Sequence, residues 1–119
     1  MFKANLFVLI VAAILTTGCS DKTMTLEECL ASLPADTLFR INADSSFSEA
    51  WEIRLRQPVD HRNPDGPQFT QQIFLYYAGA DRPVVVETEG YGARGGRNEL
   101  SSILHANLIR IEHRYFEES

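Results

Sequence analysis

The spacing of apolar positions changes along the chain, and each change predicts an element. Thr25-Leu26-Glu27-Glu28 has the form of a capping box, in which the threonine hydroxyl and the glutamate carboxylate satisfy each other's backbone amides. It predicts a short helix with Leu26, Cys29, Leu30 and Leu33 apolar, stopped by Pro34. Residues 35–50 have no clear period, and Asp44-Ser45-Ser46 reads as a loop. From Trp51 the period becomes two: Trp51, Ile53 and Leu55 alternate with Glu52, Arg54 and Arg56, predicting a strand with one apolar and one wet face. Asn63-Pro64-Asp65-Gly66-Pro67 is a dense turn signal. Beyond it Phe69, Gln71, Ile73, Leu75 and Tyr77 form a second strand, whose other face carries Phe74 and Tyr76, and the two strands are expected to pair as a hairpin.

Val84-Val85-Val86 follows the next turn as an uninterrupted apolar run, the pattern of a strand buried on both faces. A glycine-rich stretch runs from Glu89 to Gly96. Asn98 then caps a helix expected to reach about Ala106, with Leu100, Ile103 and Leu104 on its apolar face and Asn107 as a left-handed stop. Leu108, Ile109 and Ile111 make a last apolar strand leading into Glu112-His113-Arg114-Tyr115-Phe116. The fold class is therefore α/β: an antiparallel hairpin, then a strand–helix–strand unit whose crossover makes a parallel pair. On this reading the last strand sits inside an unfinished sheet with its other edge and a face uncovered, a sign that the chain is part of a longer protein.

The start of the chain is of another kind. Lys3, the apolar run from Leu6 to Leu15 and the small residues before Cys19 have the layout of an export signal. The run is shorter than the roughly 20 residues of a membrane-spanning helix. Cys19 is placed as a lipoprotein attachment site, with cleavage after Gly18, so residues 1–18 are read as signal peptide. Residues 19–50 are then tether, short helix and loop, and residues 51–119 the folded body. The expected location is periplasmic or cell-surface, with the membrane engaged through a lipid anchor. Lipidation of Cys19 would leave Cys29 single in an oxidising compartment, a second hint of a longer chain.

Composition narrows the chemistry. A net charge of −5, with 16 acidic against 11 basic residues, offers no basic stripe for a phosphate backbone, so nucleic acid is not an expected partner. A hydrophobic content of 45% argues against disorder. The three histidines have no metal-ligand spacing, and no metal or other cofactor is implied. Gly90-Tyr91-Gly92-Ala93-Arg94-Gly95 is formally a GxGxxG, with Glu112 about 20 positions on as in a dinucleotide fingerprint. The helix starts too late for a pyrophosphate to sit on its N-terminus, and the strand before it is not the first of the domain.

Five short pieces, in order and spacing, carry a resemblance over Trp51–Ser119: Gln57-Pro58-Val59-Asp60-His61, Phe69-Thr70-Gln71-Gln72, Glu89-Gly90-Tyr91, Ala106-Asn107, and Glu112-His113-Arg114-Tyr115-Phe116 with Ser119 beyond. Together they resemble the secreted bacterial tripeptidyl-aminopeptidase family of serine peptidases, related to the prolyl carboxypeptidases. Gln72 stands where the family is expected to have arginine, and Glu117-Glu118 replaces a usual glycine. The resemblance implies the N-terminal portion of an α/β-hydrolase sheet, a peptide substrate, and a catalytic serine on a later elbow. No serine in this chain is framed as G-x-S-x-G, so no catalytic residue is assigned within it.

Two site expectations follow. Gly90 and Tyr91 stand where an α/β-hydrolase takes one oxyanion-hole donor, in the loop after its third strand. Glu89, beside them, is placed to hold the α-ammonium group of a substrate. Asp60-His61 is expected to organise the turn rather than act as an acid–base pair, and His113 to pair with Glu112 or a loop carbonyl. A second functional class is a small surface lipoprotein that binds through exposed hairpin aromatics Phe74, Tyr76 and Tyr77.

Overall fold

The structure is a computed structural model and describes residues 23–119; the expected export signal and the expected attachment residue Cys19 lie outside the described residues. The elements in order are α1 (Leu26–Ala31), β1 (Ala35–Ile41), β2 (Glu49–Pro58), β3 (Gln68–Tyr77), β4 (Val84–Thr88), α2 (Glu99–Leu104) and β5 (Asn107–Ile111). All five strands form one sheet in the order β1-β2-β3-β5-β4. β1 to β3 are an antiparallel meander, β3 pairs antiparallel with β5, and β4 is parallel to β5.

The capping box forms as read: Thr25 Oγ1 accepts the Glu28 amide and Glu28 Oε2 accepts the Thr25 amide at 2.8 Å. The hairpin forms too, with Ile53 opposite Ile73. Its turn is held by Asp60, whose carboxylate accepts the Arg62 amide and whose carbonyl accepts that of Asn63, while His61 stays exposed.

Because side chains alternate across a strand, the register sorts residues onto two faces. One face carries the core: Ala50 of β2, Phe74 and Tyr76 of β3 and Leu108 of β5 are buried together with Phe47 and Ala93 from the flanking loops. The opposite face is apolar and less covered. Leu30 and Leu33 from α1 and its C-terminal flank join Ile53, Leu55, Ile73, Leu75 and Ile109 around an open groove of about 300 Å³.

Five expectations are corrected. Residues 35–41 are not loop but strand β1; its residues are mostly exposed on both faces, which removed the alternation that would have marked it. The Val84–Val86 run is not buried on both faces: Val85 packs against the core, while Val84 and Val86, on the other face, are 55% and 58% exposed. The second edge of β5 is not open, since β3 fills it. α2 ends at Leu104 rather than near Ala106, and its Leu100, Ile103 and Leu104 point to solvent while Ser101 is the buried residue. The left-handed stop is His105, at φ 48°, and not Asn107, which begins β5.

Asn107 instead clamps the turn after β3. Its Oδ1 accepts the Ala78 and Gly79 amides at 2.7 and 3.2 Å, and its Nδ2 donates to the Gly79 and Arg82 carbonyls. The binding-module reading loses two of its three aromatics: Phe74 and Tyr76 are core residues, and Tyr77 is half-buried.

Candidate functional site

β4 and β5 run parallel, so both deliver their C-terminal ends to the same edge of the sheet. The chain leaves β4 into residues 89–97 and leaves β5 into residues 112–119, and these two segments face each other there. A loop at the carboxyl ends of parallel strands is the usual place for a ligand site in an open α/β sheet.

The first segment is tied at separate points. The Glu89 amide donates to the Ile111 carbonyl at 2.9 Å, the Ala93 amide donates to Glu112 Oε1 at 3.0 Å, and the Gly96 amide donates to the Tyr76 hydroxyl. Gly95 packs so closely on Tyr76 that an added Cβ would lie 2.9 Å from the hydroxyl oxygen. Between the first two ties, the amides of Gly90, Tyr91 and Gly92 donate to no group among the described residues. Tyr91 is 77% exposed, its ring set edge-on against Phe116 at 5.7 Å, and His113 packs edge-on against the same Phe116.

Charge at this edge is centred on Arg110, a buried residue of β5. Its guanidinium reaches Glu87 Oε2 at 2.7 Å and Glu89 Oε1 at 3.4 Å, and donates to the Arg94 carbonyl. Glu89 is thus already paired through one oxygen, while its other oxygen has no hydrogen bond among the described residues. Glu112 is 1% exposed. Its Oε2 accepts the Glu118 amide at 3.2 Å and the Ser119 hydroxyl at 2.6 Å.

Of the sites expected from sequence, Gly90, Tyr91 and Glu89 do come together on this edge, at the end of β4. His113 contacts the Arg114 carbonyl rather than Glu112, and His105 and His61 lie in other parts of the molecule. No cluster of three or more histidine, cysteine or acidic side chains suited to a metal occurs among the described residues. Gln72, where the resemblance expects arginine, donates to Glu52 at 3.1 Å and leaves its own Oε1 buried without a partner. Sequence reasoning missed Arg110 and the organising role of Glu112. Arg110 carried a signal, because a charged residue amid the apolar positions of an inner strand requires a partner.

Comparison with known proteins agrees with the resemblance read from the sequence. The chain is 41% identical over 66 residues to a prolyl tri/tetrapeptidyl aminopeptidase from Streptomyces mobaraensis, a match covering 54% of this chain and 14% of that protein. The chain therefore aligns with only a small part of the length of this relative. No solved structure matches significantly. The model of the family described as PS-10 peptidase S37 matches residues 19–119, and with the five ordered motifs and the sheet that carries them, this places the chain in that peptidase family.

Proposed function

We propose that this chain is the N-terminal portion of an exported serine aminopeptidase that releases short peptides, of the prolyl tri- or tetrapeptidyl kind, from the N-termini of its substrates. The observation that carries the proposal is the arc of three unused amides, Gly90, Tyr91 and Gly92, between two anchored ones at the carboxyl end of β4. Preorganised N–H groups of this sort stabilise the oxyanion of an acyl-transfer intermediate. An antiparallel meander feeding a parallel pair supports reading the sheet as the opening of an α/β-hydrolase. In that reading a serine supplied by the remainder of the protein attacks the peptide carbonyl, a histidine takes its proton, and the Gly90–Tyr91 segment donates to the carbonyl oxygen as it becomes negative. Glu89 uses its second oxygen to hold the substrate's terminal ammonium. Cys19 carries the lipid that holds the enzyme at the periplasmic or outer surface of a membrane.

The test is hydrolysis by the longer protein that contains this segment. Prolyl tripeptidyl reporters with a free N-terminus should be cleaved, cleavage should stop on treatment with a serine-reactive phosphonate, and acetylated reporters should be resistant. Equal cleavage of free and acetylated reporters, or turnover indifferent to the phosphonate, would sink the proposal. The 119-residue chain alone, having no G-x-S-x-G, is expected not to hydrolyse them. Glu89→Gln should raise KM for free-N-terminus peptides, and Cys19→Ala should abolish incorporation of labelled palmitate.

A further inference from the structure

We infer that Glu112 is a positioning residue: its carboxylate fixes the far end of the Gly90–Gly92 arc by clamping residue 93 to the segment 118–119. The inference rests on the reading of that arc as part of an oxyanion site and adds the group that holds it in shape.

A carboxylate with 1% exposure is tolerated only when its oxygens are met by donors. Those of Glu112 are met by three, and none is a lysine or arginine: the Ala93 amide on Oε1, and the Glu118 amide and Ser119 hydroxyl on Oε2. Hydrogen bonds to an ionised acceptor are about twice as strong as neutral ones, so the carboxylate holds the two segments more firmly than a neutral acceptor would. Its own position is set by the sheet. The Glu112 amide donates to the Gln72 carbonyl at 3.0 Å, and the Glu112 carbonyl accepts from Gln71 Nε2 at 2.8 Å.

Ser119 extends the chain of bonds, since its Oγ accepts the Gln72 amide at 3.0 Å while donating to Glu112. The loop and the terminal segment also touch directly. A Cβ built at Gly92 would lie 2.0 Å from Glu117 Oε2, so the backbone at 92 occupies space that another residue would contest. The geometry is that of an arc with two fixed feet: Glu89 rests on the Ile111 carbonyl and Ala93 on the Glu112 carboxylate, one residue further along the same chain. Remove the carboxylate and that foot keeps only the core packing of Ala93 and the Arg110 bond to the next carbonyl, so the free amides keep their identity but are less firmly aimed.

Two measurements separate this from a carboxylate that merely fills space. In the 119-residue chain, amide hydrogen exchange at Ala93 and Glu118 should be protected, and Glu112→Gln should accelerate both by roughly tenfold or more, leaving Ile53 and Phe74 unchanged. Unprotected Ala93 in the parent chain, or unchanged exchange there in the variant, overturns the inference. Should Glu112→Gln unfold the sheet, read as lost protection at Phe74, Glu112→Asp takes its place; it keeps the charge and draws both acceptor oxygens back by one methylene from the Ala93 and Glu118 amides. Faster exchange at Ala93 and Glu118 then supports the inference, and no change overturns it. In the longer peptidase, Glu112→Gln should lower kcat per phosphonate-titrated active site by about tenfold or more at unchanged KM. An unchanged kcat per titrated site overturns the positioning role. The exchange experiment needs no catalysis, so it distinguishes failure of this inference from failure of the peptidase assignment.

Discussion

Arg110 and Glu87 are register partners across the parallel β4–β5 pair, and the arginine's Nε and Nη2 both reach the same carboxylate oxygen, at 2.8 and 2.7 Å. Among the described residues β4 is paired on this side only, so the ion pair fastens β4 to its one strand partner. Arg110→Met is expected to destabilise the chain by about 2–3 kcal/mol in chemical denaturation, less than for a fully buried pair because Glu87 stays partly hydrated. Glu87→Gln should cost less than Arg110→Met, since Arg110 keeps Glu89 and the Arg94 carbonyl. Equal stability of Arg110→Met and the parent would show the pair to be dispensable.

Asn107 holds the turn between β3 and β4 through four hydrogen bonds to backbone groups of residues 78–82. Asn107→Ala leaves the Ala78 and Gly79 amides without an acceptor, and a loss of about 2–4 kcal/mol in unfolding free energy is expected. Asn107→Asp keeps an acceptor and loses both donated bonds, so it should fall between alanine and the parent.

The Arg56 guanidinium and the Thr70 hydroxyl, both hydrogen-bonded to Asp36, hold its carboxyl below the usual carboxylate range. A carboxylate whose pKa is lowered by folding stabilises the fold above its unfolded pKa, about 3.9, and the contribution fades as pH falls through the lowered value. The expected acid limb of a stability–pH curve therefore flattens in Asp36→Asn below about pH 4. The group lies at the surface, so the change is small and shrinks further in high salt. Identical acid limbs for the two proteins would contradict it.

Leu108 is completely buried in the core, while Ile103 on α2 is 67% exposed. Leu108→Ala should cost about 2–5 kcal/mol, whereas Ile103→Ala should stay within about 0.5 kcal/mol of the parent. A large loss at Ile103 would mean that α2 packs its apolar side after all.

The hairpin was legible because Trp51, Ile53 and Leu55 face a different environment from Glu52 and Arg54, and that difference is written residue by residue. β1 was not, because an edge strand open on both faces imposes no alternation on Thr37, Leu38 or Phe39. Three successive valines imply burial on both faces only if something packs on each face, and among the described residues only the Val85 side is covered. At the site, the place of Gly90 and Tyr91 at a strand end could be read from order alone. The role of Glu112 could not, because its donors come from Ala93 on one side and from Glu118 and Ser119 on the other. No local pattern couples those positions; only the pairing of β4 with β5 brings them together.

The strand order also dictates a timetable. β5 is made after β4 yet lies between β4 and β3, so β4 has no partner until Ile111 has been synthesised. During synthesis and any passage across a membrane, the β1–β3 meander can close on its own while Val84, Val85 and Val86 wait with their backbone groups unpaired. The interval between Val84 and Ile111 is thus a stretch that stays open to wrong pairing until β5 is made, and it contains the whole Glu89–Gly96 loop.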